Sequence, residues 1–579
     1  MKRGGLAGVV DGVGDERQKT SALDSADDAG LLFAAGAGAP GGFDFACRRN
    51  KLDQDVEPLI INIFGLEFGY GLSASAAKLS DGGNSFLTRP RLISSGCGDA
   101  AIQEGKNTVE TEECQYGDGG EMNVRLIPAL ILAVGGGGLL LAHPALYSRL
   151  WAYGVVVGLA GCGAGVAFLR MDRRDWPLSR KVSVALVVVG TSNLLSIAVN
   201  EGADWSGLWL PATHCGLVCI GAWLAVDGVS LRLLGATFFA AAALAGFYAI
   251  LQYYHLDPLP AITPFGSERI VSFFENPNFL GNFSACALPL ALMAFVCAES
   301  LSARIVLAIG TCAIYAGMLL AGSRGGWMAG LVAVLIVVVG IARGMWRGRI
   351  MIAWLPLAAL LSSLVATTLL LSQRPVIKSH DGPVTMSERV LSTRHIIEPY
   401  VESEVPVVAG TDGQPAVSVT RQIEVRDFTV NHRYFIWEVT WDMIRARPLV
   451  GFGYGTYQER FAAFRDARRE EAHFQSLVWT QQEEDTPYAH NEYMHLWAES
   501  GLMGLSAFLA LIGLAVWGTL HKAWCDMQPY LWAGLAMLMA MLVHSLVSYP
   551  LRLPLNGLVF WLTIGVLLGF MKKIKRINS

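Results

Sequence analysis

One histidine and a few arginines stand out in the polar stretches of a mostly apolar chain. Arg269 lies in Ser267-Glu-Arg269, Arg433 in Asn431-His432-Arg433, and His490 in Pro487-Tyr488-Ala489-His490-Asn491-Glu492. Arginine offers a planar fork matched to phosphate oxygens, and histidine exchanges a proton near neutral pH. Together they suit a phosphorylated lipid substrate whose leaving group is a diphosphate. The arginines stabilise the charge that develops on it, and the histidine deprotonates an attacking hydroxyl. No metal is needed. His490 and His495 are five apart in H-N-E-Y-M-H, whereas a zinc-binding H-E-x-x-H places its histidines four apart on one helix face. Gly451-Phe-Gly453-Tyr-Gly455 follows no strand and precedes no Lys-Ser/Thr, so it reads as a hinge at a helix break. Asn276-Pro277-Asn278 is turn chemistry in which Asn278 can cap the following helix. For Arg269 the competing reading is interfacial snorkelling. For Arg324 it is packing at a helix start, and for Arg394 and His395 a solvated surface.

The elements that must position these residues follow from composition. Of 579 residues, 53% are hydrophobic and 16% charged. Soluble domains are about a quarter charged, so the deficit points to lipid. A net charge of −4 gives no basis for nucleic-acid binding. The ten cysteines include no C-x-x-C pair, and 372–501 has none, so neither a disulfide framework nor a zinc site is expected. Residues 1–121 hold no signal peptide and no span-length apolar run. They are either a disordered tail or a mis-annotated leader ahead of a true start at Met122.

A helix needs about 20 apolar residues to span a bilayer. Twelve candidates are 126–142, 150–169, 182–199, 208–226, 231–250, 279–298, 303–321, 326–342, 351–371, 502–520, 529–547 and 553–571. Alternating from a cytoplasmic start puts fifteen Lys/Arg in the short inside loops and tail. Only Arg149, Arg269, Arg324 and Arg552 fall in the short outside loops. The positive-inside rule then sets both ends inside and 372–501 outside. The expected fold is an all-α polytopic membrane protein of about twelve transmembrane helices with a large, partly helical external loop. Residues 122–371 carry spans one to nine, 372–501 the motif-bearing loop, and 502–579 the last three spans and a basic tail.

Within the loop, Val/Thr/Glu alternation near 415–430 predicts short strands. A helix begins at Asn431, with Tyr434, Trp437, Trp441 and Ile444 on one apolar face, and stops at Pro448. A charged helix follows at about 456–471. A last helix begins near His490, which shares a face with Met494 and Trp497. Glu499-Ser-Gly501-Leu-Met-Gly504 joins it to the membrane.

Three motifs on this topology resemble the O-antigen ligase and polysaccharide polymerase superfamily of bacterial inner membranes, over about residues 126–571. One is Arg269 followed by Asn276-Pro277-Asn278-Phe-Leu-Gly281. Another is Gly322-Ser323-Arg324-Gly325-Gly326. The most specific combines Arg433 and Trp437, Arg447-Pro448-Leu449-Val450-Gly451-Phe-Gly453, Ala489-His490-Asn491-Glu492-Tyr493 and Glu499-Ser-Gly501-Leu-Met-Gly504. The resemblance implies a GT-C-like fold and a metal-independent, cofactor-free glycosyltransferase, multi-pass in the inner membrane, with its active site facing the periplasm. It implies a glycan donor on undecaprenyl diphosphate, within membrane lipid, and a lipid, glycan or protein acceptor. By motif position, Arg269 and Arg433 engage the diphosphate and His490 activates the acceptor. Arg324, Asn278 and Asn491 complete the set as substrate contacts. The long 373–430 segment and the 121-residue leader depart from a plain ligase and leave the acceptor open.

A transporter or flippase of polysaccharide precursors would also have about twelve spans. It would place ionisable or broken-helix features near the midplane, often in two related halves. The spans here are nearly free of charge, and no internal repeat is present. A sensor with an external binding loop would not need Arg269, which lies in a different loop from Arg433 and His490.

Overall fold

The structure is a computed structural model. It describes residues 125–141, 150–169, 176–200, 205–256, 269–379, 382–391, 400–406, 418–424, 428–468, 486–526 and 528–577. The leader 1–121 and the pair Arg394 and His395 lie outside the described residues.

All twelve expected spans fall on helices. These are α1 (Leu126–Leu141), α2 (Leu150–Leu169), α3 (Arg180–Ala198), α4 (Trp209–Leu224), α5 (Gly228–Tyr253) and α6 (Pro277–Cys297). They continue with α7 (Leu301–Leu320), α8 (Arg324–Trp346) and α9 (Trp354–Ser372). In the loop come β1 (Pro375–Ser379), β2 (Gly382–Thr385), α10 (Met386–Leu391), β3 (Tyr400–Pro406), β4 (Ser418–Glu424), α11 (Phe428–Ala446) and α12 (Tyr457–Ala467). The chain ends with α13 (Glu492–Asp526), α14 (Pro529–His544) and α15 (Pro554–Ile577). Among the described residues, eight helices are long and apolar enough to cross a membrane: α3, α5, α6, α7, α8, α9, α13 and α15. Helices α1, α4 and α14 are apolar but shorter. The chain is thus a helical polytopic membrane protein, with eight helices of spanning length against an expected twelve. Helix α14 stops at His544 rather than continuing to 547. The chain turns there, and the Ser545 carbonyl accepts the Glu492 amide at 3.0 Å.

The helix starts follow from polar caps. Asp227, Asn276, Ser300 and Ser323 each accept a first-turn amide of α5, α6, α7 and α8 respectively. Pro277 takes the first helical position of α6, where its missing N–H costs nothing. Helices α6 and α15 form the centre of the bundle, 78% and 72% buried over their apolar windows, while α9 is 11% buried and peripheral. Asn556 of α15 donates to Asn282 of α6 at 2.6 Å, a polar tie inside the apolar core. Helix α15 also meets α4 backbone to backbone. A Cβ on Gly565 would stand 2.4 Å from the Val218 carbonyl oxygen.

The loop has a separate apolar core of Phe435, Ile436, Val439, Met443, Ile444, Phe452, Tyr457, Phe461, Ala489 and Ala498. It joins α11, α12 and the upper part of α13. Of the expected face of α11, Ile444 is in this core and Trp437 packs against it, but the face is otherwise rotated. Phe435, Ile436, Val439 and Met443 point inward, and Trp441 is 39% exposed, packed edge to face on Trp497. Counting aromatic spacing alone could not tell an inward Phe from an outward Trp. The predicted strands are present as β4 paired antiparallel with β3, Ser418 opposite Pro406 and Glu424 opposite Tyr400.

Candidate active site

His490 sits just before α13 on a backbone with φ 49°, a left-handed conformation that a side chain with a Cβ rarely adopts. Trp437 Nε1 donates to the Ala489 carbonyl at 3.0 Å, fixing the approach from α11. Asn491 Oδ1 accepts the Tyr493 and Met494 amides, both at 3.0 Å, and so starts α13. Asn491, expected to contact substrate, thus has a capping task for its oxygen.

The His490 ring is partly buried. Its Nδ1 is shielded from solvent with no hydrogen-bond partner. Tyr549 lies against it edge to face at 4.9 Å between ring centroids, and His432 at 6.2 Å. Burial, then the charge of Arg433, then His432 and His495, hold the His490 pKa well below the usual 6.5. Burial followed by Arg433 lowers His432 as well. The structure therefore brings together Arg433 and His490, two of the three residues expected to act on substrate. A neutral imidazole beside a guanidinium can accept a proton from one ligand while the cation meets an anionic one.

The other expected residues gather at the turn between α7 and α8. Arg269 Nη2 donates to the carbonyls of Ala321 and Gly322 at 3.1 and 3.2 Å, at the C-terminal end of α7. That is a structural duty the sequence did not reveal, and a favourable one, since a helix C-terminus carries partial negative charge. Asn276, not Asn278, caps α6. Asn278 Oδ1 instead accepts the Ser323 hydroxyl at 2.8 Å, and Ser323 caps α8 immediately before Arg324. Gly281 and Gly326 let α6 and α8 touch there, since a Cβ on Gly326 would stand 3.0 Å from the Gly281 backbone. Two residues link this turn to His490 and Arg433. Tyr549 packs on both Phe279 and His490. His544, 1% exposed, borders Gly325 and lies within reach of the Arg433 charge. Neither was singled out in the sequence, because a Tyr and a His at helix ends carry no pattern of their own.

Below His490 lies a buried ionic cluster, also missed. Arg552 donates to Glu499 at 2.8 Å and approaches Glu492 at 3.4 Å. Glu499 Oε1 accepts the Gly455 amide at 2.9 Å, and Glu492 Oε1 accepts the Leu551 amide at 2.9 Å. Burial alone would lower the Arg552 pKa, but Glu499, Tyr454 and Glu492 outweigh it and raise it. One signal was available: Arg552 was among the few arginines on the expected outside.

The glycine-rich turn is a fitted buttress, not a hinge. Phe452 and Gly453 amides donate to the Ala498 and Glu499 carbonyls at 3.0 and 2.9 Å. Helix α13 breaks at Gly501, φ 66°, where the Leu502 amide donates to the Pro448 carbonyl at 2.8 Å. A Cβ on Gly501 would fall 2.1 Å from the Leu449 carbonyl oxygen. Ser196 of α3 donates to the Glu499 carbonyl at 2.6 Å, and Asn200, just past the end of α3, to the Gly451 carbonyl at 3.1 Å. Among the described residues no group of three or more His, Cys, Asp or Glu could hold a metal ion.

Residues 305–509 match the family described as O-antigen ligase. This stretch is an O-antigen ligase domain. It runs from α7 into α13 and contains Arg324, Arg433, His490, Asn491 and Glu499, while Arg269, Asn278, Tyr549 and Arg552 lie outside it. A comparison with curated proteins found no match. The O-antigen ligase family indicates a membrane enzyme of the glycan ligase or polymerase type, acting with a lipid-linked glycan and an acceptor.

Proposed function

We propose that the protein transfers a glycan from undecaprenyl diphosphate to an acceptor hydroxyl on the periplasmic face of the bacterial inner membrane, without a metal. The carrying observation is the His490 Nδ1, shielded, unbonded and held on a left-handed backbone beside Arg433. In this reading Nδ1 takes the proton of the acceptor hydroxyl. The acceptor oxygen attacks the anomeric carbon, and the bond from that carbon to the diphosphate oxygen breaks. The electron pair leaves with the diphosphate, and Arg433 stabilises its charge. Arg324, at the first turn of α8, adds a second guanidinium, with the Ser323 cap and Asn278 setting its turn. Arg269 engages the diphosphate from the opposite loop while holding the α7 carbonyls. Twelve spans in a GT-C-like arrangement, with both ends in the cytoplasm, complete the reading.

The test is reconstitution with an undecaprenyl diphosphate-linked oligosaccharide and candidate acceptors, followed by product analysis. Transfer is expected, and it should be lost in folded Arg433→Ala and His490→Ala proteins. Full activity in both variants would overturn the mechanism, and transport of donor without transfer would place the protein among flippases.

A further inference from the structure

A histidine leaves a left-handed backbone unless its neighbours hold it there. Both flanks of His490 are held. Downstream, Asn491 caps α13 and the Glu492 amide donates to the Ser545 carbonyl. Upstream, the Ala489 carbonyl accepts Trp437 Nε1, and the Ala489 amide donates to His495 Nδ1 at 3.2 Å. Among these contacts, the one to His495 ties the turn to the buried ions. Because Nδ1 accepts, the proton of the neutral ring is on Nε2, 3.2 Å from Glu499 Oε1. Glu499 Oε2 receives Arg552 at 2.8 Å. Tyr457 of α12 stacks on the His495 ring at 4.2 Å, and His495 is 1% exposed. The titratable groups around it are Glu499 on its own helix, Tyr457 on α12, Tyr488 and His490 on the preceding segment, and Arg552 after α14.

The geometry points to His495 as a positioning residue for the proposed base: its Nδ1 lone pair anchors Ala489, its Nε2 faces the Arg552–Glu499 pair, and the bond to Ala489 presents the His490 ring to the acceptor. His495 itself meets no substrate. A proton on Nδ1 would set donor against donor and release the Ala489 amide. The role rests on the reading of His490 as the base.

Two amide variants separate positioning from bulk. His495→Asn places a carbonyl oxygen where Nδ1 stands. His495→Gln places its amide where Nε2 stands and leaves no acceptor for Ala489. Both lose the imidazole, so the general cost of that loss is shared. Deuterium uptake across 486–491 in the full-length protein needs no substrate. It should stay slow in the wild type and His495→Asn and rise by at least about tenfold in His495→Gln. In transfer from an undecaprenyl diphosphate-linked oligosaccharide, His495→Gln should lower kcat by about 10- to 100-fold with KM unchanged. His495→Asn should keep most of kcat. Equal exchange in the two variants, a loss carried by KM, or a misfolded His495→Asn would overturn the assignment. If the wild type transfers nothing, the reading of His490 falls, while the exchange comparison still decides His495.

Discussion

His490 stands two residues before Glu492, which Arg552 approaches at 3.4 Å, yet His490 and Arg552 are treated in opposite ways. Around Arg552 the polar groups are partnered: it bonds Glu499 at 2.8 Å and Glu492 at 3.4 Å, and both carboxyl groups take backbone amides as well. Around His490 the polar capacity is left open: Nδ1 is shielded and unbonded, and the backbone is left-handed. A buried charge with every partner in place is a fastener, since removing one member strands the others. A shielded ring nitrogen with no partner is a cost to folding that a ligand can repay. Under the proposed function the two regions divide the work, one holding the turn and the other meeting substrate.

The contrast makes separable predictions. The largest effect is expected from His490→Ala, which should lower transfer by about 10²- to 10⁴-fold with little change in thermal stability. A clear loss of stability in that variant would make His490 a fastener too and erase the difference. Next, Arg552→Ala should destabilise the protein by about 3–5 kcal/mol, read as a drop in melting temperature in detergent. A normal melting temperature would mean that the cluster does not hold the turn.

A pH profile sharpens the same contrast. The His490 pKa lies well below 6.5, because burial and then Arg433 disfavour its charged form. The base stays neutral as the pH falls through 6.5, and activity is lost only at the lower, shifted value. The acid limb of kcat/KM should therefore lie below the ordinary histidine range, and Arg433→Lys, which keeps the charge, should not move it upward. A limb at 6.5 or above would contradict the environment described for His490. The smallest effect is expected from Asn491→Ala, which should cost about 1 kcal/mol through the lost cap and should leave KM for the donor unchanged. A raised KM would show that Asn491 also contacts substrate.

Much of this was legible in the sequence. Arg433 and His490 were recognisable from residue type and motif order, and every expected span coincides with a helix. The rotation of α11 was not legible, because Trp441 and Phe435 are equally apolar, and only the packing of α12 and the Ala489 segment decides which is buried. The duty of Arg269 was hidden for a similar reason. Its partners are backbone carbonyls 52 and 53 residues away, and carbonyls leave no trace in a sequence pattern. The glycine-rich turn looked like a hinge because glycine permits freedom. In place, its positive φ values and missing side chains serve the close approach of 447–455 to the Gly501 break.

The sequence by itself determined a helical membrane protein with a long polar loop, and it named the histidine and arginines that could act there. Hydrophobic run length and side-chain chemistry are local properties, so they can be read residue by residue. The tertiary structure alone decided that Arg552, 53 residues beyond Glu499, closes an ion pair beneath the loop, and that Tyr549 and His544 link two separate turns. Those outcomes depend on which helix ends meet in space, and distance in the fold is not encoded by spacing along the chain.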